Sequence, residues 1–290
     1  MNRMIYFVLS VLCGVPHTLS AQPVSSPRSA SRETLLQRFI APKPMSYRAE
    51  VIIGPGNSAG VINAKDAIPT RILEVRNGLL TSSASVPGAQ FTISDQAKSI
   101  AALLNNYQAQ WEAIAAVASL AERPVQQLKL IPRDGWRYTR VLWLDEQTGV
   151  PLKTEIYRKN ELIERIQVKN IDFFDTVAST DTSQIDHAGA GDTPETLAHL
   201  MFYVRNVPTG FVLTSVFNDS THVQQIYSDG LARVSVFVQA LGALPAAGYT
   251  QRGSTGFVVR RNGNVDLVAL GDVPQATLDR FLSGIEAIQQ

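Results

Sequence analysis

The chain has 290 residues, of which 45% are hydrophobic and 18% are charged, and its formal net charge is +1. This composition is typical of a globular protein with room for two modest domains. It excludes a disordered chain, and the near-neutral charge excludes the basic surface that nucleic-acid binding requires.

The N-terminus has the features of a secretion signal. Arg3 precedes an apolar run over residues 5–15, which is shorter than the ~20 residues that span a bilayer. Ala21 offers a small residue for cleavage, so we predict a signal peptide over residues 1–21, with an uncleaved anchor as the alternative. Cys13 is the only cysteine and leaves with the signal, which favours a disulfide-free periplasmic protein.

In the first half of the mature chain, the spacing of apolar residues predicts short strands between two helices. Apolar spacing predicts a helix over residues 32–40 and strands over 46–53, 70–76 and 79–83. Ser94 is predicted to cap a helix over residues 95–122, because alanines support it and an apolar stripe recurs at helical spacing. That stripe includes Leu103, Leu104, Tyr107, Trp111, Ile114, Val117 and Leu120.

Residues 125–173 predict an antiparallel meander of four strands. Residues 136–144 alternate with period two, and the turn at Gly149 returns the chain. In this pattern Trp136 and Trp143 lie on opposite faces of one strand, so either protein covers both faces or one face lines a cavity. A curved sheet with the long helix on its concave side would bury the apolar stripe of the helix and would also account for a tryptophan on each face of the strand.

A polar, Gly/Ser/Thr-rich stretch separates this part from the rest of the chain. We interpret residues 177–198 as a linker and residues 199–290 as a second domain. Short strands with Gly- and Asn-containing turns follow, and Asp272 is predicted to cap a final helix. The second domain is therefore predicted to be a small antiparallel sheet covered by one helix.

The residues show no pattern that carries catalysis. His187, His199 and His222 have no metal-ligand spacing, and no nucleophile elbow or cysteine nucleophile is present. We therefore predict no enzyme, metal site or cofactor. The aromatic strands and the helix stripe leave two alternatives open, a packed core or a lined apolar cavity.

Long stretches in both domains have a recognisable pattern. In the first domain these are PRDGWRYTRVLWLDEQTGVPLKTEIY (residues 132–157) and ELIERIQV (161–168). In the second they are PTGF (208–211), VQQIYSDGLARVSVFV (223–238) and LGDVPQATLDRF (270–281). In their order and spacing these stretches resemble the MucB/RseB family, whereas the stretch 49–93 departs from the family pattern.

The resemblance implies a fold and a regulatory function. The first domain, residues 32–176, would be an unclosed antiparallel β-barrel with helices, like the lipoprotein carriers LolA and LolB, and the second a small α+β unit. Such proteins are periplasmic regulators that bind the periplasmic part of a membrane anti-sigma factor and shield it from proteolysis. In such proteins, lipid or lipopolysaccharide would compete with the anti-sigma factor and release it from the regulator. The resemblance leaves open a homodimer, and a LolA-type lipid or lipoprotein carrier is the alternative function.

The predicted lipid pocket combines the helix stripe with the aromatic hairpin. Its candidate residues are Leu104, Tyr107, Trp111, Ile114, Trp136, Tyr138 and Trp143. The sequence assigns no residue to the contact with the anti-sigma factor.

Overall fold

A computed structural model gives the architecture of most of the mature chain. It describes residues 30–42, 45–55, 71–76, 79–83, 100–112, 119–174, 202–218, 222–241 and 247–287. The predicted signal peptide and the predicted linker lie outside these ranges, and the boundaries assigned to them stay predictions.

Nine antiparallel strands form the first sheet, in the order β3-β2-β1-β9-β8-β7-β6-β4, with β5 paired to β6. The strands are β1 (Ser46–Pro55), β2 (Arg71–Arg76), β3 (Leu79–Ser83), β4 (Tyr107–Glu112), β5 (Ser119–Leu120), β6 (Arg123–Pro132), β7 (Thr139–Asp145), β8 (Pro151–Arg158) and β9 (Glu161–Phe174). Strands β3 and β4 lie at opposite ends of the order and are not paired with each other. The predicted unclosed antiparallel sheet is therefore confirmed, including the meander β6–β9.

The β7–β8 turn is fixed by a buried carboxylate. Asp145 accepts hydrogen bonds from Arg123 Nε and Nη2, both at 3.0 Å, and from the backbone N–H of Thr148 at 2.9 Å. Gly149 closes the turn with φ of +79°, as predicted, and a Cβ there would lie 2.6 Å from Arg38 Cβ.

Two short helices cover one face of this sheet. Helix α1 (Arg32–Ile40) begins after Ser31, whose side chain caps the N–H of Thr34, and α2 spans Ile100–Asn106. Their apolar side chains pack on β4, β6 and β7 in one cluster. Its buried members are Leu35, Leu36, Phe39, Ile40, Leu103, Tyr107, Leu128, Leu130, Leu142 and Leu144.

The predicted long helix over residues 95–122 is wrong. Helix α2 ends at Asn106, and Tyr107 begins β4, which pairs with β6 over its whole length. Burial in β4 alternates, with Tyr107, Ala109 and Trp111 less exposed than Gln108, Gln110 and Glu112. These apolar residues also fit a period of two, and pairing with β6 overrides the helical propensity of the alanines.

The aromatic hairpin also differs from its prediction. Strand β7 begins at Thr139, so Trp136 precedes the strand and does not share it with Trp143. The side chain of Asp134 accepts the backbone N–H of Trp136 at 3.0 Å. This local hydrogen bond competes with strand pairing and turns the chain before β7 starts.

The second domain is built on six antiparallel strands in the order β11-β12-β13-β16-β15-β14. They are β11 (Val212–Asn218), β12 (His222–Ser228), β13 (Arg233–Ala240), β14 (Gly248–Arg252), β15 (Thr255–Asn262) and β16 (Val265–Gly271). Helix α3 (Gln275–Ser283) packs on β13, β15 and β16, and β10 (Phe202–Val204) pairs separately with β17 (Ile285–Ala287). The predicted sheet with one helix is confirmed.

Asp272 does not cap the final helix. Helix α3 begins at Gln275 after Pro274. The carboxylate of Asp272 instead accepts the N–H of Arg233 at 2.8 Å and pairs with Arg140 of the first domain. Within the described ranges, no helix is both long and apolar enough to cross a membrane.

Candidate functional site: the contact between the two domains

The best-defined cluster of buried polar groups lies where the two domains meet. Its centre is Asp229, in the turn between β12 and β13, and both Asp229 and Arg137 have fully buried side chains. Arg137 Nε donates to Asp229 Oδ2 at 2.5 Å, and Arg137 Nη2 donates to the carbonyl oxygen of Thr209 at 2.6 Å. One arginine of the first domain is therefore bound to two segments of the second.

Tyr107 joins the same carboxylate from inside the first domain. Its ring is completely buried in the cluster beneath α1 and α2, and its hydroxyl donates to Asp229 Oδ2 at 3.0 Å. Asp229 Oδ1 accepts the N–H groups of Leu231 and Ala232 at 2.8 and 2.6 Å. The apolar interior of the first domain is thus connected directly to a structured turn of the second.

Further polar contacts extend this interface along β7, the loop before it and β9. Arg140 pairs with Asp272, Thr277 Oγ1 donates to the carbonyl oxygen of Trp136 at 2.8 Å, and Glu164 accepts the hydroxyl of Ser254. These bonds come from three separate segments on each side, so they fix both the position and the orientation of the second domain.

The close approach of the two domains also depends on Gly210. It adopts φ of +87°, and a Cβ at this position would lie 2.1 Å from Asn106 Oδ1 at the end of α2. The turn before β11 therefore has no space for a side chain where it meets the first domain.

Burial and charge pairing change the pKa values of these groups. Burial raises the pKa of Tyr107 well above its usual value, and the negative charge of Asp229 raises it further. Burial alone would lower the pKa of Arg137, but its ion pair and hydrogen bond with Asp229 give a net increase. The pKa of Arg140 is likewise raised by Asp272 against the effect of burial. The tyrosine is therefore neutral and the arginines are charged, as their hydrogen bonds require.

The predicted pocket residues do not share one environment. Leu104 lies on α2 and is half-buried, and Trp111 lies on β4 against the cluster under the helices. Tyr107 belongs to that cluster and also reaches Asp229. Ile114 lies outside the described residues.

The three hairpin aromatics are separated from that group. Trp136 lies in the loop before β7 at the domain contact, and Tyr138 packs with Ile156 and Ile163. Trp143 is half-buried, with the ammonium of Lys153 3.9 Å from the centroid of its ring. It borders an open depression of about 300 Å³ that otherwise contains mostly polar side chains. The structure thus brings Tyr107 and Trp111 to one apolar cluster and leaves Trp143 at another.

Sequence reasoning missed the interdomain ion pairs, although one signal was present. Arg140 alternates with Leu142 and Leu144 in β7, so it is a charge on the apolar face of a strand. Such a charge requires a partner, because an isolated buried charge is very costly. The local sequence does not identify that partner, since Asp272 is 132 residues away. The described residues hold no group of three or more His, Cys, Asp or Glu that could bind a metal ion.

Comparisons with known proteins agree with this two-domain arrangement. The family model for the MucB/RseB N-terminal domain matches residues 77–186, and that for the MucB/RseB C-terminal domain matches residues 197–286. The sigma factor AlgU regulatory protein MucB of Pseudomonas aeruginosa is 32% identical over 183 residues. That alignment covers 57% of this chain and 57% of MucB, little more than half of each.

Solved structures of MucB have the same fold. MucB in complex with MucA(peri) superposes with a TM-score of 0.59 at 24% identity, over 89% of this chain and 99% of that one. MucB alone gives a TM-score of 0.58 at 22% identity, over 91% of this chain and 100% of that one. With one family model matching each domain in chain order, the chain belongs to the MucB/RseB family.

Proposed function

We propose that this chain is a non-enzymatic periplasmic regulator that binds the periplasmic region of a membrane anti-sigma factor. In this proposal binding shields the anti-sigma factor from proteolysis and so restrains the envelope-stress response. Lipid or lipopolysaccharide is the release signal, and the regulator self-associates as a homodimer. The observation that carries the proposal is membership of the MucB/RseB family, whose member MucB has been solved in complex with MucA(peri).

The interdomain contact supports a regulator over a simple carrier. A lipid carrier needs only the first domain, whereas here the second domain is attached through the buried pair Arg137–Asp229 and through Arg140–Asp272. A partner held by both domains would therefore meet one continuous surface of fixed shape. The bond from Tyr107 to Asp229 gives a lipid in the first domain a physical route to affect the second.

Binding to the anti-sigma factor is tested with the full mature chain. The purified protein is titrated with the periplasmic region of the anti-sigma factor from the same organism, using calorimetry. A protease assay then measures whether the complex protects that region from cleavage. We expect a saturable complex and slower cleavage. The absence of any complex would refute the proposal, and a complex without protection would refute the shielding step alone.

The lipid step is tested by a pair of tryptophan substitutions. Trp111 lies against the apolar cluster under α1 and α2, whereas Trp143 packs against a separate apolar cluster and lies beside Lys153. If lipid binds under the helices, Trp111→Ala should weaken binding of lipopolysaccharide at least several-fold, and the matched Trp143→Ala should not. Fluorescence of a labelled lipopolysaccharide measures binding, and urea unfolding measures stability.

The stability measurement decides how the lipid result is interpreted. Truncation of a tryptophan in a fully packed core costs roughly 3–5 kcal/mol. A loss of that size at Trp111 with unchanged lipid binding would show that the residue only fills the core. Transfer of bound lipid from the protein to acceptor vesicles would instead support the carrier alternative.

A further inference from the structure

Strand β11 is an apolar edge strand whose side chains are exposed, and no described helix packs over it. Val212, Leu213, Val216 and Phe217 are 61, 49, 48 and 50% exposed. The neighbouring β12 has the alternating burial of a strand packed on a core, whereas β11 is exposed at almost every position. Helix α3 packs on β13, β15 and β16 and does not cover this end of the sheet.

This edge has little of the protection that edge strands usually carry. Its seven residues, VLTSVFN, include no charge and no proline, and among the described residues only β12 pairs with it. One β-bulge between Leu213 and Ser215 interrupts its register with β12. An uncharged, apolar edge that remains exposed is the surface expected at a site of strand addition.

We propose that β11 is the surface through which two copies of this chain associate, with the β11 strands of the copies antiparallel to each other. This inference deepens the self-association in the proposed function and rests on it. A second copy offers an identical uncharged edge, so no like charges oppose each other across the contact. The pairing closes about a two-fold axis, covers both apolar edges at once and makes one sheet of twelve strands.

The size of the surface sets the strength of the contact. Stable complexes bury about 800 Å² per partner, and a single edge strand supplies only part of that area. We therefore expect a dimer that dissociates on dilution through the micromolar range, rather than an obligate one.

The first test compares the oligomeric state of matched variants. Phe217→Lys places a charge on the edge, and Ile72→Lys places one at a comparably exposed apolar position, 44% exposed, on β2 of the first domain. Sedimentation velocity over a concentration series should show reversible dimers for the wild type and for Ile72→Lys. We expect Phe217→Lys to stay monomeric, with an unchanged circular dichroism spectrum.

The second test is cross-linking, which needs no loss of function. Because Cys13 is the only cysteine and lies in the predicted signal peptide, the mature chain offers a cysteine-free background. Ser215 is at the middle of β11, close to the two-fold axis of an antiparallel pair. Mild oxidation should give disulfide-linked dimers of Ser215→Cys and not of Ile72→Cys, because a disulfide requires Cα atoms within about 7 Å.

The outcomes separate this inference from the function on which it rests. A wild type that is monomeric at every concentration refutes both the self-association and the β11 contact, but not binding of the anti-sigma factor. Dimers that persist in Phe217→Lys, without cross-linking at Ser215, refute the β11 contact alone. If Phe217→Lys instead loses the anti-sigma factor while its dimers persist, the edge is the partner site and the inference is wrong.

Discussion

The substitution Asp229→Asn tests whether the buried ion pair holds the two domains together. Asparagine keeps the size of the side chain and an oxygen that can accept the N–H groups of Leu231 and Ala232. It removes the negative charge 2.5 Å from Arg137, whose side chain is fully buried. The change therefore isolates the charge from the shape of the turn.

The expected loss follows from what remains around Arg137. Removal of one partner from a buried pair costs about 3–5 kcal/mol, because the other charge is left uncompensated. Arg137 keeps a bond to Asp134, at 2.5 Å and partly exposed, so we expect the lower end of that range. Truncation of the exposed pair Arg260–Asp279 by Asp279→Ala should cost less than about 1 kcal/mol and serves as the control.

The distribution of tryptophans provides an assay for each domain. All three lie in the first domain, at positions 111, 136 and 143, so their fluorescence reports that domain and, through Trp136, its contact with the second, whereas circular dichroism reports both domains. In urea, the two signals should coincide for the wild type and separate for Asp229→Asn. Asp229→Asn combined with Arg137→Met should cost less than the two single changes together. A loss below about 1 kcal/mol, or strict additivity of the pair, would refute the reasoning.

Two further predictions concern stability. Gly210→Ala should lower the free energy of unfolding more than Gly263→Ala does. Both glycines have positive φ, but only a Cβ at position 210 would meet another residue, Asn106. Urea unfolding measures both losses, and equal losses would contradict the close approach of the domains. Among the fully buried tyrosines, burial raises the pKa of Tyr47, Tyr138 and Tyr227 to about 12, and it does the same for the half-buried Tyr157. Their contribution is fully present below pH ~10 and is lost as pH rises towards ~12, at up to about 1.4 kcal/mol per pH unit for each tyrosine. Unfolding at a series of alkaline pH values should show this loss, with a smaller slope in Tyr138→Phe, and an unchanged free energy would contradict it.

The parts of the fold that the sequence predicted are those determined by local pattern. Helix α1, the meander β6–β9 and the turn at Gly149 follow from apolar spacing and turn chemistry over a few residues. The small sheet of the second domain follows in the same way. Each of these signals is repeated along the chain, so one weak position does not change the result.

The long helix shows where local pattern is insufficient. Tyr107 and Trp111 are four residues apart, which fits a helix, but they are also an even number of residues apart, which fits a strand. Pairing with β6 decides between the two, and that partner begins 16 residues after Tyr107. Helical propensity gives no sign of such a pairing, so the predicted pocket residues Leu104, Tyr107 and Trp111 lie on two elements, α2 and β4, and not on one helix.

The interdomain site could not be predicted from the sequence because its paired residues lie far apart along the chain. Arg137 and Asp229 each resemble ordinary turn residues in their own segment, and only the fold brings them together, 92 residues apart. A buried pair of this kind contributes little net stability compared with an apolar contact, yet it strongly penalises a displaced arrangement in which either charge loses its partner. Tyr107 ties this pair to the apolar cluster under α1 and α2. A ligand that moved the Tyr107 ring would therefore disturb one of the buried contacts that hold the two domains together.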